Sequence, residues 1–293
     1  MGQDFRSEHQ ERDLIIVVQR AAVLGAPVAH SLSPVLHRAA YRALGLDDWT
    51  YEAIECDEAR LPGLLDSLGP DWAGLSLTMP LKRAVLPLLD RFEPLVTEVG
   101  GANTVVFGAG RAGYNTDVPG MITALAEAGV GQAPAATLVL GAGATACAAL
   151  GALRGIGAGE AAVAVRDPAT AGPLLAVAER LGVKVQLVRF GAEPAQAQWQ
   201  LLISTVPVGA ADTYADRILA RTLIPAVVLD VVYHPWPTRL ASAAGPAGAV
   251  VVSGFELLLH QAARQVELMT GQDAPVAAMR AAGLDELTRR SVA

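Results

Sequence analysis

Cysteine is nearly absent from this chain, with Cys56 and Cys147 the two examples in 293 residues. They stand far apart, and neither has a second Cys or a His at ligand spacing. A disulfide framework is therefore excluded and no metal is expected. This usage suggests a reducing cytoplasm. Basic residues are also in deficit: 22 Lys and Arg face 29 Asp and Glu, a net charge of −7 with a pI near 5.3. No long basic run interrupts that balance, which argues against a nucleic acid or an anionic membrane surface, since phosphate binding needs clustered cations. A small molecule is the expected partner. No secretory leader is expected either, because Asp4, Glu8, Glu11 and Asp13 sit where an apolar core would follow a basic start. Residues 1–13 are expected to form a disordered extension. One long uncharged stretch exists, 128–153, but Gly, Ala and Thr dominate it, and Pro134, Gly141 and Gly143 interrupt it. A buried strand, turn and helix explain it better than a membrane span.

What the chain has is length and apolar content. At 52% hydrophobic residues, it can build two domains, each with its own core. Strand-like and helix-like runs alternate almost throughout, which predicts an α/β fold with parallel βαβ units. Strands are expected at 21–24, 49–54 and 72–77, with helices at 34–44 and 58–68 and another starting at Pro80. Residues 103–107 and 111–114 form a hairpin pattern around Gly108 and Gly110. After a helix at 118–128, the breakers Gly129, Gly131 and Pro134 open a second unit. Its strands are expected at 137–140, 161–165, 183–187, 201–204, 226–230 and 249–252. We place the boundary near Asp117. A helix at 255–270 carries Leu258, Ala262, Val266 and Met269 on one face, which either domain could host.

Strand 137–140 runs into Gly141-Ala142-Gly143-Ala144-Thr145-Ala146, a G-x-G-x-x-A turn opening a helix. In that context Gly141 permits the turn, Gly143 admits a pyrophosphate, and the helix N-terminus supplies free N–H groups. The next strand ends in Val165-Arg166-Asp167. Arg166 suits a 2′-phosphate and so NADP; Asp167 either binds the free ribose hydroxyls of NAD or caps the helix at Pro168. In the first unit, Ser33 is expected as N-cap with Pro34 at the first helical position, and Ser31 and Ser33 beside that terminus suit a carboxylate. Lys82 falls in the first turn after Pro80, where a cation opposes the helix dipole. Such a position suits an amine with chemical work, although a snorkelling surface lysine also fits. Asn103 and Asp117 lie at strand ends. A carboxylate beside Lys82 would give an acid/base pair, while Asp117 alone could simply cap a helix.

Together these residues resemble the shikimate dehydrogenase family over nearly the whole chain, 23–271. The motif G-x-P-x-x-H-S-x-S-P matches Gly25 to Pro34, and N-V-T-x-P-x-K matches Ser76 to Lys82 with Ser in place of Asn. G-A-x-N-T appears one residue shorter as Gly101-Ala102-Asn103-Thr104, and N-T-D-x-x-G matches Asn115 to Gly120. D-x-x-Y-x-P-x-x-T matches Asp230, Tyr233, Pro235 and Thr238. G-x-x-M-L-x-x-Q-A is met by Gly254, Leu257, Leu258, Gln261 and Ala262. The departures fall on the cofactor side: Ala144 for a second glycine, Ser204-Thr205-Val206-Pro207-Val208-Gly209 for N-A-T-x-x-G, and Val165-Arg166-Asp167 for N-R-T.

The resemblance implies a substrate domain over 14–117 completed by C-terminal helices at 254–285, and a Rossmann-type cofactor domain over 118–253. It implies NADP-dependent, reversible reduction of 3-dehydroshikimate to shikimate, a step of aromatic amino-acid biosynthesis, by a monomer or homodimer. Lys82 and Asp117 would be the acid/base pair. Ser31 and Ser33 would bind the carboxylate, Thr78, Asn103, Asp117 and Gln261 the ring hydroxyls, and Tyr233 would lie nearby. Gly141, Ala142, Gly143, Ala144, Arg166, Thr205 and Gly254 would hold the cofactor. An NAD-preferring quinate/shikimate dehydrogenase and a non-catalytic NADP-binding sensor on the same fold are the alternatives.

Overall fold

In the computed structural model, which describes residues 18–132, 134–192 and 198–292, the predicted alternation builds two sheets. The extension expected at 1–13 lies outside the described residues. The first unit contains β1 (Gln19–Gly25), α1 (Ser33–Ala43), β2 (Trp49–Glu55), α2 (Leu61–Ser67) and β3 (Trp72–Leu77). It continues through α3 (Leu81–Ala84), β4 (Arg91–Phe92), α4 (Pro94–Val99), β5 (Thr104–Val106) and β6 (Ala112–Tyr114). Its strand order is β2-β1-β3-β5-β6-β4. The β1–β2 and β1–β3 pairs are parallel, whereas the hairpin of β5 and β6 runs antiparallel, Val105 opposite Gly113.

The second unit follows α5 (Asp117–Glu127) with β7 (Thr137–Leu140), α6 (Ala144–Gly155), β8 (Glu160–Val165), α7 (Gly172–Leu181) and β9 (Lys184–Arg189). Then come β10 (Gln198–Ser204), α8 (Asp212–Leu219), β11 (Ile224–Asp230), α9 (Arg239–Ala244) and β12 (Val250–Ser253). All its pairs are parallel, in the order β12-β11-β10-β7-β8-β9. That is the doubly wound order, and its direction reverses between β7 and β10. Chain crossovers leave on opposite faces there, so a crevice opens beyond the strand C-termini. The described residues of the uncharged stretch 128–153 include β7 and most of α6. Among the described residues no helix is long and apolar enough to cross a membrane.

The chain then closes with α10 (Gly254–Thr270) and α11 (Val276–Val292). Phe255, Leu259, Ala262, Val266 and Met269 of α10 are buried with Val23, Leu36 and Tyr51 of the first unit. Leu257 instead joins Val118, Leu150 and Val252 in the core of the second. The host of α10 is thus mainly the first sheet. Gly120 permits the contact with α5, because a Cβ there would lie 2.8 Å from the Gln261 backbone nitrogen.

Two local expectations are corrected. Helix α1 begins at Ser33, with Leu32 as the flanking residue in helical conformation and no side-chain cap from Ser33. The local bond comes from Ser31, whose Oγ accepts the Ser33 N–H at 3.2 Å. Lys82 lies in a helix of four residues, too short to sum a substantial macrodipole, so the dipole argument does not explain its placement.

Candidate active site

The loop after β3 is tied on both sides. Thr78 N–H donates to Leu24 O, and Leu81 N–H donates to Thr78 O. The Lys82 carbonyl accepts Ala102 N–H at 2.9 Å, which anchors the lysine backbone to the turn entering β5. From there Lys82 Nζ reaches Asp117 Oδ2 at 2.6 Å. The two side chains are 16% and 8% exposed, so water screens the pair weakly. Asp117 opens α5, but Asn115 supplies the helix's local bond, its Oδ1 accepting Val118 N–H. The carboxylate is left for other partners. Its second oxygen, Oδ1, accepts Asn103 Nδ2–H at 2.9 Å. The same amide nitrogen lies 2.9 Å from Thr116 Oγ1 and 3.3 Å from Gln261 Oε1. Lys82, Asn103, Asp117 and Gln261, drawn from α3, the start of β5, α5 and α10, therefore meet at one point.

Lys82, Asp117 and Gln261 border a cavity of about 290 Å³ that also touches Ser31, Ser33, Thr78 and Tyr233. Asn103 backs this wall through Asp117 and Gln261. Burial pushes the Tyr233 phenol above its usual range, with Arg290 and the Leu32 backbone opposing, so the hydroxyl stays protonated near neutrality. Asp230 and Thr238 of the same motif act structurally: Thr238 Oγ1 donates to Asp230 Oδ2 at 2.7 Å and accepts Ala241 N–H to cap α9.

A larger cleft, about 1020 Å³, opens beside it along the switch point of the second sheet. Gly141, Ala142, Gly143, Ala144, Arg166 and Thr205 all line it. Gly141 has φ +105°, and a Cβ there would stand 2.7 Å from Thr205 Oγ1, so glycine is required by both backbone and space. Thr205 Oγ1 donates to Leu140 O at 2.6 Å, pinning the facing loop. Asp167 Oδ1 accepts Ala169 N–H at 3.0 Å and caps the short helix at Pro168. That bond engages the carboxylate and leaves the Arg166 guanidinium as the charged group at the strand end.

Thr78, Lys82 and Thr145 border both cavities, so the two join at the Lys82–Asp117 pair. Gly254, expected on the cofactor side, borders the smaller cavity instead. Its role there is close packing, since a Cβ would fall 2.0 Å from Val231 O. Sequence reasoning missed Thr145, Thr170 and Phe190 in the cleft. Their signal was available, for each follows the C-terminal end of β7, β8 or β9, the edge where open α/β sheets bind ligands.

Comparison with known proteins gives the same organisation. Residues 23–105 match the shikimate dehydrogenase substrate binding domain, and residues 254–282 match the shikimate 5′-dehydrogenase C-terminal domain. A shikimate dehydrogenase (NADP(+)) of Thermus thermophilus is 40% identical over 256 residues, covering 86% of this chain and 92% of that one. The crystal structure of Mycobacterium tuberculosis shikimate dehydrogenase superposes with a TM-score of 0.82 at 44% identity, covering 91% and 99% of the two chains. The Thermus thermophilus shikimate 5-dehydrogenase, solved in complex with NADP(H) and shikimate, gives 0.79 at 35% identity, covering 91% and 99%. With the motifs, the doubly wound sheet and the paired cavities, these matches show that the chain belongs to the shikimate dehydrogenase family.

Proposed function

We propose that this protein catalyses the NADP-dependent, reversible reduction of 3-dehydroshikimate to shikimate. The observation that carries this reading is the Lys82–Asp117 pair at 2.6 Å, seated where a small polar cavity meets a nucleotide-sized cleft. The cleft fits a dinucleotide: no atom lies within 4 Å of the point a Cβ on Gly143 would occupy, which leaves room for a pyrophosphate against the backbone. Arg166 would take the 2′-phosphate, and Gly141, Ala142, Ala144 and Thr205 would shape the wall. The reduced cofactor, when bound, supplies the hydride.

The chain's own residues do the rest. Ser31 and Ser33 bind the carboxylate, Thr78 and Gln261 hold ring hydroxyls and Tyr233 closes one side, while Asn103, outside the cavity lining, fixes Asp117 and Gln261 from behind. Lys82 donates a proton to the oxygen developing at C3, and Asp117 keeps the ammonium charged and aimed. In the reverse direction the neutral amine accepts that proton. We assign residues 14–117 with 254–285 to the substrate domain and 118–253 to the cofactor domain, in line with the two sheets. A monomer or homodimer suffices, because one chain fills every role. Two buried free thiols favour a reducing cytoplasm.

Rates with shikimate and quinate, each with NADP and NAD, test the reading. Shikimate with NADP should give the highest kcat/KM. Arg166→Ala should weaken NADPH by about 1.5–3 kcal/mol, the scale of a charged hydrogen bond, and barely alter NADH. A clear NAD preference in the wild type favours the quinate/shikimate alternative, and absence of turnover with tight NADP binding favours a sensor.

A further inference from the structure

A buried chain of polar side chains runs along one wall of the proposed substrate cavity: Ser76 and Gln265 border it, and Tyr51 and Thr104 lie behind. Tyr51, Ser76, Thr104 and Gln265 are each at most 4% exposed, a costly arrangement unless every donor finds an acceptor. Here each does. The Tyr51 hydroxyl donates to Ser76 Oγ at 2.6 Å, and Ser76 Oγ donates to Gln265 Oε1 at 2.7 Å. Gln265 Nε2 donates to Thr104 Oγ1 at 3.0 Å and to the Asn103 carbonyl at 3.3 Å. Thr104 Oγ1 donates to Asn103 Oδ1 at 2.9 Å, and Asn103 Nδ2 donates to Asp117 Oδ1 at 2.9 Å.

The direction of this chain is determined at both ends. At one end the Thr116 backbone N–H, which can only donate, meets Asn103 Oδ1 at 2.8 Å. That atom is therefore the oxygen, and the amide nitrogen faces Asp117. With its single proton on Asn103 Oδ1, Thr104 must accept from Gln265, which turns the Gln265 carbonyl toward Ser76. At the other end, burial raises the Tyr51 phenol far above its usual range, so it begins the chain as a donor. Reversing any link would set donor against donor or acceptor against acceptor.

We infer that Gln265 and Thr104 are positioning residues: through the one-way chain from Tyr51 and Ser76, they hold the Asn103 amide with its nitrogen toward Asp117. The inference rests on the roles proposed above for Lys82 and Asp117. A rotated Asn103 would present its oxygen to the Asp117 carboxylate and withdraw the donor that balances it. The titratable groups sharing the cavity with Asp117 are Lys82, which bonds it, and His30 and Tyr233 on other walls.

Thr104→Val removes one hydroxyl at nearly constant volume, and Gln265→Leu interrupts the chain one link earlier. Each should lower kcat about tenfold and raise KM for shikimate. Thr104→Ser, which keeps the hydroxyl, should restore most of both effects. NADPH binding, followed by fluorescence, should stay within twofold of wild type in all three, as expected for a change confined to the substrate side. Because Gln265 also borders the cavity, Thr104→Val, whose side chain does not, carries the test of positioning. Variants that melt earlier yet retain wild-type kcat and KM overturn the inference alone. A wild type without shikimate-dependent turnover overturns the proposed function and this inference with it.

Discussion

Lys82 takes its place in the site from a distant partner rather than from its own helix. Its helix is a single turn, and what engages it is an oppositely charged partner 35 residues away. Lys82→Ala should lower kcat by about two to four powers of ten while changing the KM for shikimate far less, the pattern of a lost general acid. Steady-state kinetics on a variant with an unchanged melting temperature check this, and near-normal turnover would reduce Lys82 to a surface cation. Ser31 and Ser33 make the opposite case. Ser31→Ala and Ser33→Ala should chiefly raise KM, because a carboxylate remote from C3 is held alike in ground and transition states. Ser31→Ala should also cost about 0.5–1 kcal/mol, since it is Ser31 that accepts the Ser33 N–H. A substrate methyl ester that binds as tightly as the acid would remove the carboxylate assignment.

Among the elements, α5 and α10 set the precision of the site, and Gly120 sets their separation. Gly120→Ala introduces a Cβ within 2.8 to 3.1 Å of Gln261 backbone and Cβ atoms. The helices must part, at a cost of about 1–3 kcal/mol. Because Gln261 rides on the displaced helix, KM for shikimate should rise with it, while affinity for NADPH stays near wild type. Thermal melts and substrate titrations separate the two effects. Most element positions were legible in the sequence because hydrophobic alternation and Gly or Pro breakers are local signals, as in β3 and β7, whose limits coincide with the expected ones. Where a neighbour decides, the local signal failed. The helix expected from Pro80 stops after one turn, and α1 starts one residue before the expected first helical residue. The motifs made Lys82, Asp117 and the Gly141 turn legible. The Tyr51–Ser76–Gln265–Thr104 chain was not, since Ser76 and Gln265 are 189 positions apart and no spacing rule links them.

At the scale of the whole molecule, the buried His37 makes stability sensitive to acid. His37 stacks on Tyr51 with ring centroids 3.9 Å apart, and burial lowers its pKa from 6.5 to about 4, with the Ser33 carbonyl opposing. The unfolded chain takes up this proton near pH 6.5 and the folded chain near pH 4, so stability rises with pH across that window. On acidification the loss begins near 6.5 and reaches about 3 kcal/mol by pH 4. His37→Phe should flatten this dependence. Denaturant unfolding at pH 7 and pH 5 measures the change, and equal pH dependence in the two proteins would assign the sensitivity elsewhere. The return of α10 to the first sheet has a consequence for synthesis on the ribosome. The cofactor domain is contiguous and can finish folding as it emerges, but the earlier-made substrate domain must wait for α10, which is made after the whole second sheet. At ordinary elongation rates that delay is on the order of 10 s, during which the apolar face of the first sheet is uncovered. Gln261 and Gln265 arrive with the same helix, so a prematurely terminated chain lacks part of its core and part of its site together. Emergence of α10 thereby completes the first core and the site in one step.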